Sequence, residues 1–406
     1  MVRRIAPYAV YSNIFLVMLG LGVIAPNLTD IRREFGVSYG AISWGVSAFA
    51  FARLITNLPA GIAAGRYPRL PLLMAGTACV AVGSVAAALS TGLPEFLIAR
   101  AISGVGSAIS TTVGLTAILE DADPARRGRA SGMFHSALGG GALFGPGFGA
   151  VMTLLGDWRW SLFGAGGAAL LSFALLGLVL AMGGGRAPVR PAVARTAGPQ
   201  PRLLGVLIGG ASFAYIAAFA IFFVRGGVQQ TVIPLLGRDA VGLSVGSLSI
   251  LLMVSAAIGT VLGPAVGGLT DRLGRGRVLV PGLILLAIGT LVLASATSSP
   301  VFIAGVIATS LAGTAFSIPS SMIVDAVSPE QRAAAIGLYR VVGDAAFTGS
   351  PFVSGYVLDE FGFAAAGVVP AVIIVLALVA GLWSSRRFAS REAQRPLPLR
   401  TDEAST

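Results

Sequence analysis

No lysine occurs in this chain of 406 residues, and all 28 Lys+Arg positions are arginine. A phosphate-cradling loop of the Walker type needs its lysine, so direct ATP coupling is excluded. One histidine and one cysteine are too few for the usual His/Cys metal cages. Neither a metal nor a cofactor is expected. Cys79 stands alone, so no internal disulfide forms and the redox compartment stays open. Charge is scarce as well: 11% of residues are charged, against about 25% in soluble domains. No nucleophile–base or paired-carboxylate arrangement stands out, and an enzyme is not expected.

What fills the chain instead is apolar sequence, 55% of residues, with a mean hydropathy of +0.86. Twelve apolar runs of roughly 20 residues succeed one another, each long enough to cross a ~30 Å hydrocarbon slab as a helix. Their spans are 8–28, 40–63, 71–90, 94–118, 130–155 and 159–182, then 204–235, 243–268, 278–297, 300–324, 332–356 and 363–385. Little remains outside the bilayer, so the function is expected to lie within it. Arg3 and Arg4 precede the first run without a small-residue cleavage site after it, the pattern of a retained helix rather than a removed signal peptide.

The net charge of +11 is topological and gives no sign of a nucleic-acid partner. Alternate loops and both ends hold 20 arginines, and the opposite loops hold only Arg32, Arg33, Arg159 and Arg238. The basic excess marks the cytoplasmic side, placing both termini there in a multi-pass inner (plasma) membrane protein. Residues 183–203, with prolines at 188, 191, 199 and 201, read as a cytoplasmic linker. Residues 386–406 read as a polar, disordered tail. These divide the chain into bundles at 1–182 and 204–385.

The two halves repeat one another. The run Glu120–Arg127 with Gly132 aligns ungapped, 205 residues on, with Asp325–Arg332 and Gly337, and Pro146 with Pro351. Arg66 and Arg69 correspond to Arg272 and Arg275 one residue further on. Both copies begin on the same side, so this is a parallel repeat. Such a repeat places a binding cavity between the halves near the midplane and lets them rock to alternate access. Glu120 and Asp325 occupy matched helix ends and are expected to pair with loop arginines.

At these residues the chain resembles the major facilitator superfamily, over its whole length apart from linker and tail. Gly267-Gly268-Leu269-Thr270-Asp271-Arg272-Leu273-Gly274-Arg275 matches that family's G-x-x-x-D-R-x-G-R loop between helices eight and nine. Gly267 and Gly274 permit tight backbone geometry. Asp271 can accept charge-assisted bonds across the seam between halves. Arg272 and Arg275 hold the loop cytoplasmic. The first-half copy has Gly65 where the family carries its aspartate, which puts the matching latch in doubt.

On helix five, Gly132, Gly141, Gly145-Pro146 and Gly149 are similar to the family's antiporter motif G-x8-G-x3-G-P-x2-G-G, with Ala150 in place of its last glycine. Gly141, Gly145 and Gly149 lie on one helical face and admit a close neighbour. The resemblance implies an all-α membrane protein of 12 transmembrane helices in two pseudo-symmetric six-helix bundles. It further implies proton-coupled export, in exchange for protons, of a small amphipathic or drug-like compound. Proton-symport uptake, facilitated diffusion and a non-transporting receptor stay open beside it. A monomer is expected.

Ionisable groups inside spans are costly and therefore point to function. Asp344 is the one acid near a span centre, and Arg340 lies four residues earlier on the same face, within ion-pair reach. Two readings stand: a carboxylate that takes up and releases protons, or a permanent structural pair. Arg100 lies in Arg100-Ala101-Ile102-Ser103-Gly104-Val105-Gly106, similar to the family's fourth-helix R-x-x-x-G-x-G, and the resemblance implies a part in proton coupling or gating. Arg53 and Arg225 have no acid partner in sequence and are candidates to bind an anionic substrate group or shape the cavity. His135 either titrates or packs. Asn13, Asn57, Gln229 and Gln230, polar within spans, and the aromatics Phe213 and Tyr215 complete the cavity candidates.

Overall fold

The structure, a computed structural model, describes residues 2–123, 126–183, 211–328 and 331–393. It is helical nearly throughout, with no strand among the described residues. The expected linker lies outside the described residues save for Gly183. Of the expected tail only the backbone of 386–393 is described.

Helix α1 (Val2–Gly22) continues through a 3-10 turn, Ala25–Asn27, into a short polar helix, Leu28–Phe35. Gly36, at φ 62°, closes that extension by donating its N–H to the Arg32 and Arg33 carbonyls, the left-handed ending that glycine adopts at least cost. Then follow α2 (Tyr39–Ala64), α3 (Arg69–Leu89), α4 (Leu93–Asp121), α5 (Arg127–Thr153) and α6 (Trp158–Ala181). Side-chain caps start several of them: the Ser38 hydroxyl accepts from the Ala41 N–H and the Asp157 carboxylate from that of Arg159, satisfying donors a helix start leaves unpaired.

Helix α7 begins at Ser212–Phe223 and continues in wide, π-type turns, Val224–Val232 and Leu236–Ala240, broken by Ile233–Leu235. Next come α8 (Val245–Leu273), α9 (Arg275–Ala294) and α10 (Ser299–Gly313, prolonged by a 3-10 turn to Ser317 and by Ile318–Ala326). The stretch Arg332–Ala393 is two helices meeting at Gly362, whose φ 75° and ψ −175° are not helical. These are α11 (332–361) and α12 (363–393).

Ten helical segments are long and apolar enough to cross a bilayer, one of them the 48-residue Ala334–Gly381. Divided at Gly362, that segment supplies two crossings, and the glycine-rich α5 supplies the twelfth. Several expected spans fall short of the observed helices. The first, 8–28, continues as helical backbone to Phe35, because polar residues there find partners in α7 beyond the apolar core. The seventh, 204–235, continues in wide turns to Ala240, and the eighth, eleventh and twelfth run on to 273, 361 and 393. The family's "loop" between helices eight and nine is a single residue, Gly274.

Large apolar side chains such as Leu154, Leu58 and Val261 are 84%, 73% and 71% exposed. In water such a surface would drive aggregation; against lipid tails it costs nothing. The largest buried cluster runs from Leu19, Val23 and Leu28 of the first half into Val228, Leu235 and Leu248 of the second. Two smaller clusters stay within one half each. The halves therefore share a core at one end only.

Candidate functional site

That shared end carries the α1–α2 and α7–α8 connections, and ion pairs sew it shut. Arg33 and Arg32 of the first half donate to Asp239 of the second at 2.7 and 3.3 Å, and Arg238 donates to Asp30 at 2.7 Å. Asp359 of α11 accepts from the backbone N–H groups of Tyr39 and Gly40 at 2.8 and 2.7 Å, at the start of α2. Gly40 and Gly355 let α2 and α11 meet backbone to backbone there, and the Trp44 and Phe352 rings lie 4.8 Å apart.

At the other end, charged pairs stay within each half. Arg69 pairs with Glu120 in the first, and Arg275 with Asp325 at 2.5 Å in the second. These are matched positions of the repeat, each tying the start of α3 or α9 to the end of α4 or α10. Between the halves a cavity of about 580 Å³ opens, walled by α1 and α5 on one side and α7, α8 and α10 on the other.

Four expected cavity residues line it: His135, Arg225, Gln229 and Gln230. The wide turns of α7 explain why Arg225, Gln229 and Gln230 face it together. With more residues per turn, positions i, i+4 and i+5 become neighbours on one face. The Arg225 guanidinium lies 4.6 Å over the Phe316 ring of α10. The His135 ring donates from Nδ1 to the Ser131 carbonyl at 2.8 Å. Ser255 and Ser310, whose hydroxyls are 2.6 Å apart across α8 and α10, line it as well. Neither serine is a candidate from the sequence, where hydroxyls in spans are too common to single out.

The remaining candidates lie elsewhere. Asn13 is fully buried inside the first half and donates to Thr77 and Ser172 at 2.6 and 2.8 Å, so its amide joins α1 to α3 and α6. Tyr215 donates to the Ala335 carbonyl at 3.1 Å, joining α7 to α11. Phe213 packs on Gly381 of α12, where a methyl group would strike its ring. All three serve packing within a half, not the cavity wall.

Arg53 and Asn57 lie on α2, off the main cavity, and face Asp344 across the seam. Both side chains approach that carboxylate from α2, while Arg340 approaches from its own helix. The expected Asp344–Arg340 pair is not formed within 4.0 Å among the described residues; Arg340 is exposed and acts at longer range. Arg53 also donates to Ser107 of α4 at 2.7 Å, and Thr112 donates to Asn57.

Arg100 is 4% exposed. It donates to the Gly45 carbonyl at 3.3 Å, and its guanidinium lies 4.5 Å over the Phe49 ring. Holding an arginine at mid-membrane costs about 2.5–3.5 kcal/mol on insertion scales. A desolvated cation–π contact returns about 2 kcal/mol, so the ring and one carbonyl offset most of that cost without neutralising the charge. A small hollow with room for about one water joins Arg100 to Gln230 and Phe347 of the second half, next to the main cavity.

Among the motif residues, Gly141, Gly145 and Gly149 pack on the α1 backbone. A Cβ at Gly145 would come within 2.6 Å of the Leu19 carbonyl and 2.8 Å of Gly22 Cα. Pro146 touches Gly22 from the same helix, and Gly132 meets nothing and lines the cavity. Gly274, at φ 89°, needs its missing side chain, whereas a Cβ at Gly267 would meet nothing within 4 Å; the tight geometry expected at Gly267 is absent. Asp271 and Arg272 are exposed on the last turn of α8, and among the described residues Asp271 makes no ion pair across the seam. Arg275 pairs with Asp325 instead.

Twelve crossings around a cavity sealed at one end and open at the other define a membrane carrier. The Major Facilitator Superfamily model matches residues 10–267 and again 214–404, and the chain belongs to that superfamily of transporters, which are not enzymes. It is 24% identical over 287 residues to Multidrug resistance protein 2 of Bacillus subtilis, an alignment covering 69% of this chain and 71% of that one. It is 30% identical over 149 residues to the MFS-type transporter YfiU of the same bacterium, covering 36% of this chain but only 29% of that relative. Quinolone resistance protein NorA of Staphylococcus aureus is 25% identical over 174 residues, covering 43% of this chain and 44% of its own.

Among solved structures, a bacterial homolog of the lysosomal transporter Spinster, inward-facing and occupied, superimposes with a TM-score of 0.79 at 17% identity, over 95% of this chain and 97% of that one. The nucleoside transporter NupG gives 0.75 at 15%, over 93% and 98%. At these identities the likeness shows the fold.

Proposed function

We propose that this chain exports a small amphipathic compound from the cytoplasm in exchange for protons, by alternating access. Its working parts are the bundles 1–182 and 204–385, acting as a monomer in the plasma membrane with both termini cytoplasmic. The carrying observation is the cavity of about 580 Å³ between the halves, open where arginine is abundant and closed where it is rare. On that sidedness the cavity opens to the cytoplasm, ready to load a compound for export. The names of two relatives, Multidrug resistance protein 2 and quinolone resistance protein NorA, support export. So does the glycine stripe of α5.

For proton coupling, Asp344 is the acid best placed. It lies on α11 where α2 presents Arg53 and Asn57, so rocking of the halves changes its neighbours. An opposite charge close by favours the ionised carboxylate, and its withdrawal favours the neutral acid. Arg100, buried one helix further on, is assigned to the same coupling. The test is flux in inverted membrane vesicles against a panel of dyes and antibiotics. Export by antiport gives accumulation driven by an acid lumen, lost in Asp344→Asn while folding is kept. Accumulation that requires an alkaline lumen, or that ignores the gradient, overturns the proposal in favour of symport uptake or facilitated diffusion.

A further inference from the structure

Inside the membrane spans the cations outnumber the acids. Arg53 faces Asp344 from α2 and Arg340 stands one turn before it on α11, which accounts for the one carboxylate near a span centre. Two guanidinium groups are left over, Arg100 and Arg225. Neither makes an ion pair within 4.0 Å among the described residues. Arg225 is exposed into the main cavity, and Arg100 sits behind Gln230, which borders both the cavity and the hollow at Arg100. Among the described residues, the ionisable groups that line the cavity are Arg225 and His135, with no aspartate or glutamate on its wall. The potential there is therefore positive, and low-dielectric walls amplify it.

We infer that the substrate is an amphipathic anion, its carboxylate, sulfonate or phosphate bound by Arg225. This inference rests on the proposal of a central transport site and names what that site accepts. Arginine presents a planar fork of donors that matches such an oxyanion in bidentate fashion. The Phe316 ring lies 4.6 Å from the guanidinium carbon, and an arginine stacked on an aromatic ring keeps its edge donors for an oxyanion. Gln229 and Gln230 add amide donors on the same face of α7. The wide turns that gather these three groups are the kind of helix distortion that recurs at functional sites. Leu138 of α5, Leu252 of α8 and Leu286 of α9 also line the cavity and offer apolar surface to the rest of the molecule. A cationic compound would meet the same arginine as repulsion, with no carboxylate to offset it.

The experiment compares three probes that share one ring system: naphthalene-2-sulfonate, 2-naphthyltrimethylammonium and 2-naphthol. Each is titrated calorimetrically into the purified full chain, with protein-free detergent as the blank. The sulfonate is expected to bind at least about tenfold more tightly than the other two, as a charge-assisted bidentate contact implies. Arg225→Gln is expected to erase that preference while leaving 2-naphthol unchanged, and Arg225→Lys to keep much of it. Tighter binding of the cation, equal binding of all three, no binding of the sulfonate, or a preference that survives Arg225→Gln overturns the inference.

A parallel flux measurement in proteoliposomes with an imposed pH gradient separates the two proposals. Sulfonate binding without gradient-driven movement would sink export but not the anion site. Gradient-driven movement of the cation alone would do the reverse.

Discussion

The two ends of this molecule use the same residue types to opposite effect. At the closed end arginine–carboxylate pairs cross from half to half, Arg33 and Arg32 to Asp239 and Arg238 to Asp30, beside Arg159, which pairs with Glu34 inside the first half. At the open end they stay inside a half, Arg69 to Glu120 and Arg275 to Asp325. Glycines differ in what surrounds them. Gly145, Gly149, Gly227 and Gly355 admit a neighbour's backbone, while Gly132, Gly263, Gly267 and Gly337 meet nothing within 4 Å. The difference separates what holds each half rigid from what holds the halves together, and a carrier needs the second set to be breakable.

The strongest way to break this comparison is to put the same bulky residue at a packed and at a bare glycine. Gly145→Leu would drive a side chain into the Leu19 carbonyl and Gly22 of α1, which cannot rotate away, at a cost of about 3 kcal/mol or more. Gly263→Leu has no such neighbour and is expected to leave thermal unfolding almost unchanged while slowing transport, because the open end can no longer close. Unfolding temperatures that fall equally would erase the distinction.

A smaller effect is expected at the ion pairs. Asp239→Asn removes the carboxylate shared by Arg32 and Arg33. Hydrogen bonds between charged groups contribute about 1.5–3 kcal/mol, so the equilibrium between conformations should move roughly ten- to a hundredfold away from the closed arrangement of that end. Accessibility of a cysteine placed at Thr29 reports it. Smallest of all, Glu120→Gln breaks a pair inside one half whose acid is 49% exposed. It should cost under about 1 kcal/mol and leave the same accessibility unmoved. A Glu120→Gln effect as large as that of Asp239→Asn would show that the open-end pairs also govern the conformation.

The helices were legible because lipid demands long apolar runs, and the matched Arg69–Glu120 and Arg275–Asp325 pairs because the repeat carries both partners in register. Contacts between halves were not. Asp239 meets arginines 206 and 207 residues away, and nothing in the local pattern chooses between them. A polar residue in a span suggests a cavity, but Asn13 finds its hydroxyl partners, Thr77 and Ser172, in other spans. Arg340 stands one helical turn from Asp344 and suggested a local pair, whereas tertiary packing supplies Arg53 and Asn57 from α2. The wide turns of α7 leave no periodic trace, so the convergence of Arg225, Gln229 and Gln230 emerges only in three dimensions.

The central claim, that the two bundles rock about the cavity between them, is tested most directly by paired spin-label distances. One pair joins Arg129 of α5 to Arg272 of α8 at the open end, and the other joins Leu155 to Phe361 at the closed end, all four exposed, with Cys79 replaced beforehand. Under a transport-driving pH gradient the first distance should shorten while the second lengthens. Two distances that stay fixed, or that lengthen together, would contradict the account.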